Sequence, residues 1–84
     1  MPVRVTLLSK PGCHLCDAAR DAVNEVIARA GVEASVDEVN ILDDAALNQR
    51  YWDEIPVVLI EDRVHTIWRV DPDRFAAALK EHSE

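Results

Sequence analysis

The sequence predicts an α/β fold with the element order βαβαββα, and three observations carry that reading. A Val-, Thr- and Leu-rich run over residues 3 to 8 stops at Pro11-Gly12. A helical apolar stripe then extends from Leu15 to Ala30. The second half holds two short strand-like runs, followed by an Asp-Pro signal that opens a terminal helix. A strand, a turn and a periodic helix in close succession describe one layered domain over residues 1–84, with no repeat, linker or low-complexity stretch to divide it.

Each element has its own reason. Val3 to Leu8 reads as a short buried strand punctuated by Ser9-Lys10-Pro11-Gly12. Leu15, Cys16, Ala19, Val23, Val26, Ile27 and Ala30 recur at helical spacing over roughly four turns, and Gly31 suits the left-handed position just past the end. Ala34 to Ile41 reads as a second strand, in which the change of parity between Val36 and Val39 predicts a bulge or a misplaced boundary. Asp43 or Asp44 caps a short helix that carries Leu47 and Tyr51 inward and stops before Pro56. Val57 to Ile60 and Val64 to Val70, separated by Glu61-Asp62-Arg63, form a hairpin without an Asn-Gly or Asp-Gly turn. Asp71-Pro72 supplies an N-cap with proline at the first helical position, and Phe75, Ala78 and Leu79 form the buried stripe of the last helix.

Composition narrows the function classes. The chain has 84 residues, 49% of them hydrophobic and 30% charged, which is a globular composition with room for one modest core. A net charge of −7 argues against nucleic acids and anionic membranes, both of which call for basic patches. No apolar run approaches the roughly 20 residues that a membrane helix needs. The opening "MPVRVTLLSK" lacks a long apolar core and a cleavage site of small residues, so a cytoplasmic location is expected, and with it a monomer.

The remaining chemistry sits in "SKPGCHLCDAA", where Cys13 and Cys16 are separated by His14 and Leu15. A disulfide across so small a loop contributes little stability, so a structural staple is a poor explanation. Cys13 falls where a strand hands over to a helix, next to unpaired amides and the positive end of the helix dipole, both of which favour a thiolate. Cys16 lies one turn on, within the apolar stripe. Two readings stay open at this level. One is a dithiol that exchanges with disulfides. The other is a binding module: the cysteines holding zinc with His14, His65 or His82, two chains sharing an iron-sulfur cluster, or a scaffold that binds without turnover. Only one close ligand pair is evident, and tetrahedral zinc normally takes four ligands, so no resident metal is expected. The acidic clusters Asp37-Glu38, Asp43-Asp44 and Asp53-Glu54 read as solvated surface. Asp17 favours the helix dipole but opposes a negative sulfur, and Trp52 and Trp68 either line a substrate groove or, as large aromatics more often do, serve as core or partly buried packing.

"SKPGCHLC" and "EIPVVLI" together resemble the glutaredoxins of the thioredoxin superfamily, in particular their short bacterial glutaredoxin-like members. The resemblance spans nearly the whole chain. It implies a thioredoxin-like fold of glutaredoxin type, with a four-stranded mixed sheet flanked by three helices on its two faces. It also implies a thiol-disulfide oxidoreductase, with Cys13 attacking, Cys16 resolving, and a cis bond before Pro56 that shapes a substrate groove with Ile55, Lys10 and His14. Lys10 matches the basic residue that family members carry ahead of the first cysteine, while His14 either modulates the thiolate or is an exposed first-turn residue. The implied partners are a disulfide-containing protein or small molecule and a separate reductant, either glutathione or a thioredoxin-type reductase, with no resident cofactor. Three departures stand out. His14-Leu15 replaces the usual Pro-Tyr. Glu54-Ile55-Pro56 replaces Thr-Val-Pro, and Trp68-Arg69-Val70-Asp71 stands where Gly-Gly-Asp would hold glutathione; these two count against glutathione binding.

Overall fold

The computed structural model describes residues 2–83. Its sheet is built outward from β1 (Val3–Ser9), which pairs in parallel with β2 (Ala34–Asn40) and antiparallel with β3 (Val57–Ile60). With β4 (Arg63–Ile67) added to β3, the strand order is β2-β1-β3-β4, the four-stranded mixed sheet that the sequence predicts. Successive side chains on a strand point to opposite faces, so a central strand that is apolar on both faces needs cover on both. Val3, Val5 and Leu7 join Val58 and Ile60 beneath Ala19, Val23 and Val26 of α1 (His14–Ala30) and Phe75 and Leu79 of α3 (Pro72–His82). Leu8 and Val57 face the other way, against Ile41, Leu47 and Tyr51 from a 3-10 turn (Ile41–Asp43) and α2 (Ala45–Tyr51).

The helix ends follow the capping residues. Gly31 closes α1 in the left-handed region at φ 66°, where a Cβ would be strained. Asp44 accepts from the Ala46 and Leu47 amides at 3.0 and 3.2 Å, and Asp71 accepts from those of Asp73 and Arg74 at 3.0 and 3.2 Å. Each cap satisfies two of the amides that a helix start leaves free, and Pro72 lacks an amide to satisfy.

Several expectations are corrected. β2 has no bulge: its register runs unbroken from Val3↔Ala34 to Ser9↔Asn40, and Ile41 lies beyond it in the 3-10 turn. Val36 and Val39 differ in parity because they serve different faces of an edge strand. The irregularity lies instead between β3 and β4, at Val58/Leu59. β4 ends at Ile67 rather than Val70, because Trp68 adopts φ 67° and leaves the strand conformation. The hairpin loop is two residues, Glu61 and Asp62, at φ 49° and 67°, the positive values that mirror-image hairpin loops require. Arg4 compensates for the missing glycine: its side chain reaches Asp62 at 2.7 Å, and its amide donates to the Glu61 carboxylate at 2.8 Å. Leu15 leaves the helical stripe and is 48% exposed, since the face of α1 that meets the core carries Cys16, Ala19, Val23 and Val26, with Ile27 at its margin. Trp52 and Trp68 are 64% and 54% exposed, so neither is a packing residue.

One polar side chain on β4 is poorly accommodated. His65 lies against the Phe75 ring, with centroids 5.7 Å apart, and its Nε2 is buried without a hydrogen-bond partner among the described residues. Burial, with Arg74 and His82 adding to it and Asp71 opposing, pushes its pKa below the usual 6.5.

Two outcomes follow from the packing. Leu79→Ala, which empties a fully buried position between α3 and the sheet, is expected to cost about 2 to 5 kcal/mol in urea unfolding, a large part of the roughly 5 to 15 kcal/mol that native domains have. His65 titrates lower in the folded chain than in the unfolded one. The unfolded state therefore binds more protons, and stability falls as pH drops below about 6.5. Urea midpoints measured from pH 7.5 to 5.5 should show this decline, and His65→Leu should flatten it.

Candidate active site

The two cysteines are positioned by the way β1 ends. Gly12, at φ 76°, turns the chain out of the strand, and Cys13 follows in an extended conformation as the N-cap of α1. N-caps normally present an oxygen. Here the Cys13 Sγ accepts from the Cys16 amide at 3.2 Å, while its carbonyl accepts from the Asp17 amide at 3.1 Å. The sulfur therefore sits at the positive end of a 17-residue helix with an amide aimed at it, the environment that favours a thiolate. Cys13 and Cys16 are joined as a disulfide, with Cα atoms 5.2 Å apart. Cys13 is half-buried, whereas Cys16 has no exposed surface.

The pair rests on the second apolar cluster, with Leu8, Ile41, Ile55 and Val57 around Cys16 and with Cys13 at its margin. Ile55 thus joins the cysteines, and the Ile55-Pro56 peptide bond is cis. Pro56 is buried. Its carbonyl accepts from the Trp68 amide at 2.8 Å, and the Trp68 indole Nε1 donates to the Asp53 carbonyl at 3.0 Å, so one residue holds both ends of the 53–56 loop. Sequence reasoning missed that link; the available signal was the departure of Trp68-Arg69-Val70-Asp71 from the Gly-Gly-Asp pattern that the resemblance implies. His14 is exposed at the first position of α1. Lys10 is exposed as well, and lines a concavity of about 340 Å³ with Gly12, Asp17, Arg20, Glu38 and Asn40. Among the described residues, no three His, Cys, Asp or Glu side chains gather as a metal site, so His14, His65 and His82 do not complete a ligand set with the cysteines.

The concavity contains a second feature that the sequence concealed. Arg20 of α1 binds the Glu38 carboxylate of β2 through both Nε and Nη2, and its Nη1 reaches Asp17 at 2.9 Å. The buried Ser9 hydroxyl donates to the same Glu38 carboxylate at 2.8 Å. A bidentate guanidinium-carboxylate pair is directional, and here it ties the cysteine-bearing helix to the edge strand beside it. The Arg20 hydrogen bonds, aided by Ser9 and opposed by partial burial, hold the Glu38 carboxyl below the usual carboxylate range, while Arg20 is shifted upward by Glu38 and Asp17. Asp17 is spoken for by Arg20, which blunts the opposition to a negative sulfur expected of it.

A group whose folded pKa is depressed stabilises the fold above its unfolded pKa, and that contribution disappears as pH falls through the folded value. Arg20→Gln should therefore raise the Glu38 carboxyl toward 4.5 in an NMR titration, and should remove the part of acid destabilisation below about pH 4.5 that Glu38 supplies.

Comparison with known proteins bears on the fold and the family. A solved structure from X. campestris, a structural genomics target, is 33% identical and superposes with a TM-score of 0.73 over 92% of each chain. Thioredoxin-2 of a malaria parasite is only 15% identical, yet shares the fold at a TM-score of 0.69 over 96% of this chain and 84% of its own. An uncharacterized protein of Mycobacterium bovis is 29% identical over 77 residues, covering 88% of this chain and 79% of the relative. The family described as Glutaredoxin-like domain (DUF836) matches residues 4–80, and the chain, with its thioredoxin-like fold, belongs to that family.

Proposed function

We propose that this protein is a thiol-disulfide oxidoreductase that works through the Cys13/Cys16 dithiol. The observation that carries the reading is the unequal setting of two bonded sulfurs. One is a half-open N-cap and the other is closed off a single turn behind it. In the reduced protein, the Cys13 thiolate attacks one sulfur of a partner disulfide. The partner S–S bond breaks, a Cys13–partner mixed disulfide forms, and the departing thiolate takes up a proton. Cys16 then gives up its proton and attacks the Cys13 sulfur. The second partner thiol leaves, and the Cys13–Cys16 disulfide remains. Two electrons have passed from the dithiol to the partner.

Burial of Cys16 restricts first attack to Cys13, and its place one helical turn away makes the second attack intramolecular. Ile55 and Pro56 form the apolar side of the approach, with Lys10 and His14 exposed at its rim. The partner is a disulfide-bearing protein or small molecule. A separate thiol reductant, either glutathione or a thioredoxin-type reductase, returns the two electrons that each cycle consumes. The presence of Glu54 for the usual threonine, and of Trp68-Arg69-Val70-Asp71 where Gly-Gly-Asp is usual, weighs toward the reductase. No helix among the described residues is long and apolar enough to cross a membrane, which suits a reaction in water and a cytoplasmic setting.

Titration of the pair against defined thiol-disulfide buffers, read by alkylation mass shift, should show one reversible two-electron transition. Cys13→Ser is expected to lower exchange by at least about a hundredfold. Cys16→Ser should instead accumulate a mixed disulfide at Cys13 that survives non-reducing electrophoresis. Exchange by Cys13→Ser at the wild-type rate, or thiols that never oxidise reversibly, would sink the reading.

A further inference from the structure

Beside the cysteine pair lies a feature that neither stability nor the exchange chemistry explains. Leu15, between the two cysteines, is 48% exposed, and Trp68 is 54% exposed. Together with Ala18 and Ala22 of α1, and with Arg69 and Val70, they line a mostly apolar trough of about 300 Å³. Trp68 keeps its place there at a conformational cost. A bulky side chain at φ 67° is an outlier that glycine or asparagine would relieve, with a cost on the order of 1 to 3 kcal/mol. Its amide and its indole are both hydrogen-bonded to the 53–56 loop, so the exposed ring is held rather than free. A rigid aromatic wall beside small alanines is the arrangement that takes up a large side chain with little loss of entropy.

We propose that this trough is a recognition subsite for a large aliphatic or aromatic side chain next to the reactive cysteine of a polypeptide substrate. The inference rests on the dithiol reading and names its substrate class. Continuity points to the occupant: Leu15, which lies between the two cysteines in the chain, also lines the trough, so the trough begins within the Cys-x-x-Cys turn itself. Charge points the same way. A chain carrying −7 repels a small anionic disulfide such as that of glutathione, whereas an apolar side chain on a neutral or cationic polypeptide meets no such opposition.

The test uses two peptides of equal length and charge, each carrying cysteine as a mixed disulfide with 2-nitro-5-thiobenzoate. One has Phe beside the cysteine and the other has Ser. The reduced protein is mixed with each, and release of the chromophore is followed in single turnover. The wild type is expected to favour the Phe peptide by roughly tenfold, the scale of burying one large apolar side chain. Trp68→Ala should bring the ratio close to one, Trp68→Phe should restore most of it, and Trp52→Ala, which lies off the trough, should keep it. Because the ratio is read within one variant, a general loss of fold or of thiol reactivity cancels. Equal rates for the two peptides with the wild type would overturn the subsite and leave the dithiol reading standing. A Trp68→Ala variant that slows both peptides alike while keeping the ratio would likewise overturn it, reducing Trp68 to a loop staple. Failure of the wild type to release chromophore from either peptide would end the dithiol reading, and the subsite with it.

Discussion

A sulfur atom stands where this fold needs an oxygen. The first turn of α1 requires an acceptor for its free amides, and Cys13 supplies a thiol sulfur, a weaker acceptor than the serine, threonine or aspartate usual at that position. Everything around the first turn bears on that substitution. Gly12 turns the strand so that Cys13 can adopt the cap conformation, and Cys16 both donates to the sulfur and plugs the cluster beneath it. Arg20 then binds the helix to β2 through Glu38, restoring from the side some of the fixity that a weak cap gives up at the end. The start of the helix is thus held twice, at its cap by the sulfur and from the side by the guanidinium-carboxylate pair.

The sheet makes that arrangement possible because the C-terminal end of β1 is buried on both faces. Leu7 and Leu8 are consecutive and both buried, one under α1 and α3 and the other toward α2. A strand covered on both sides has little freedom to shift register, since a one-residue slip would exchange its faces. Its C-terminal end, where Ser9 joins the Glu38 carboxylate, is therefore a fixed platform for the Pro11-Gly12 turn and for the cysteine that follows. Packing of side chains far from the sulfur is in this sense what sets the sulfur's position.

Much of this was legible in the sequence because it is local. Pro11-Gly12, Gly31, Asp44 and Asp71-Pro72 act within a few residues of themselves, and each appears where its backbone chemistry demands. The features that escaped depend on partners distant in the chain. The Glu61-Asp62 loop has no glycine and takes its support from Arg4, on a strand 57 residues earlier. Glu38 reads as one more surface acid until the β1–β2 register places it beside Ser9 and under Arg20. Leu15 fits a helical stripe as well as Cys16 does, and only the direction of approach to the sheet separates the exposed residue from the buried one. The tryptophans deceived for a related reason: large aromatic residues are most often at least partly packed, and nothing in the sequence shows that Trp68 would cross the left-handed region to hold a loop.

The strand order β2-β1-β3-β4 leaves two ladders open to solvent, and an open ladder is a template for another chain. β2 exposes Ser35, Asp37 and Glu38, and β4 begins at the exposed Arg63 just past the Glu61-Asp62 loop. Glu38 is occupied by Arg20, which leaves Asp37 as the charged side chain on β2 that opposes pairing with another strand. Charge on one strand thus guards the edge that the order of the sheet leaves open.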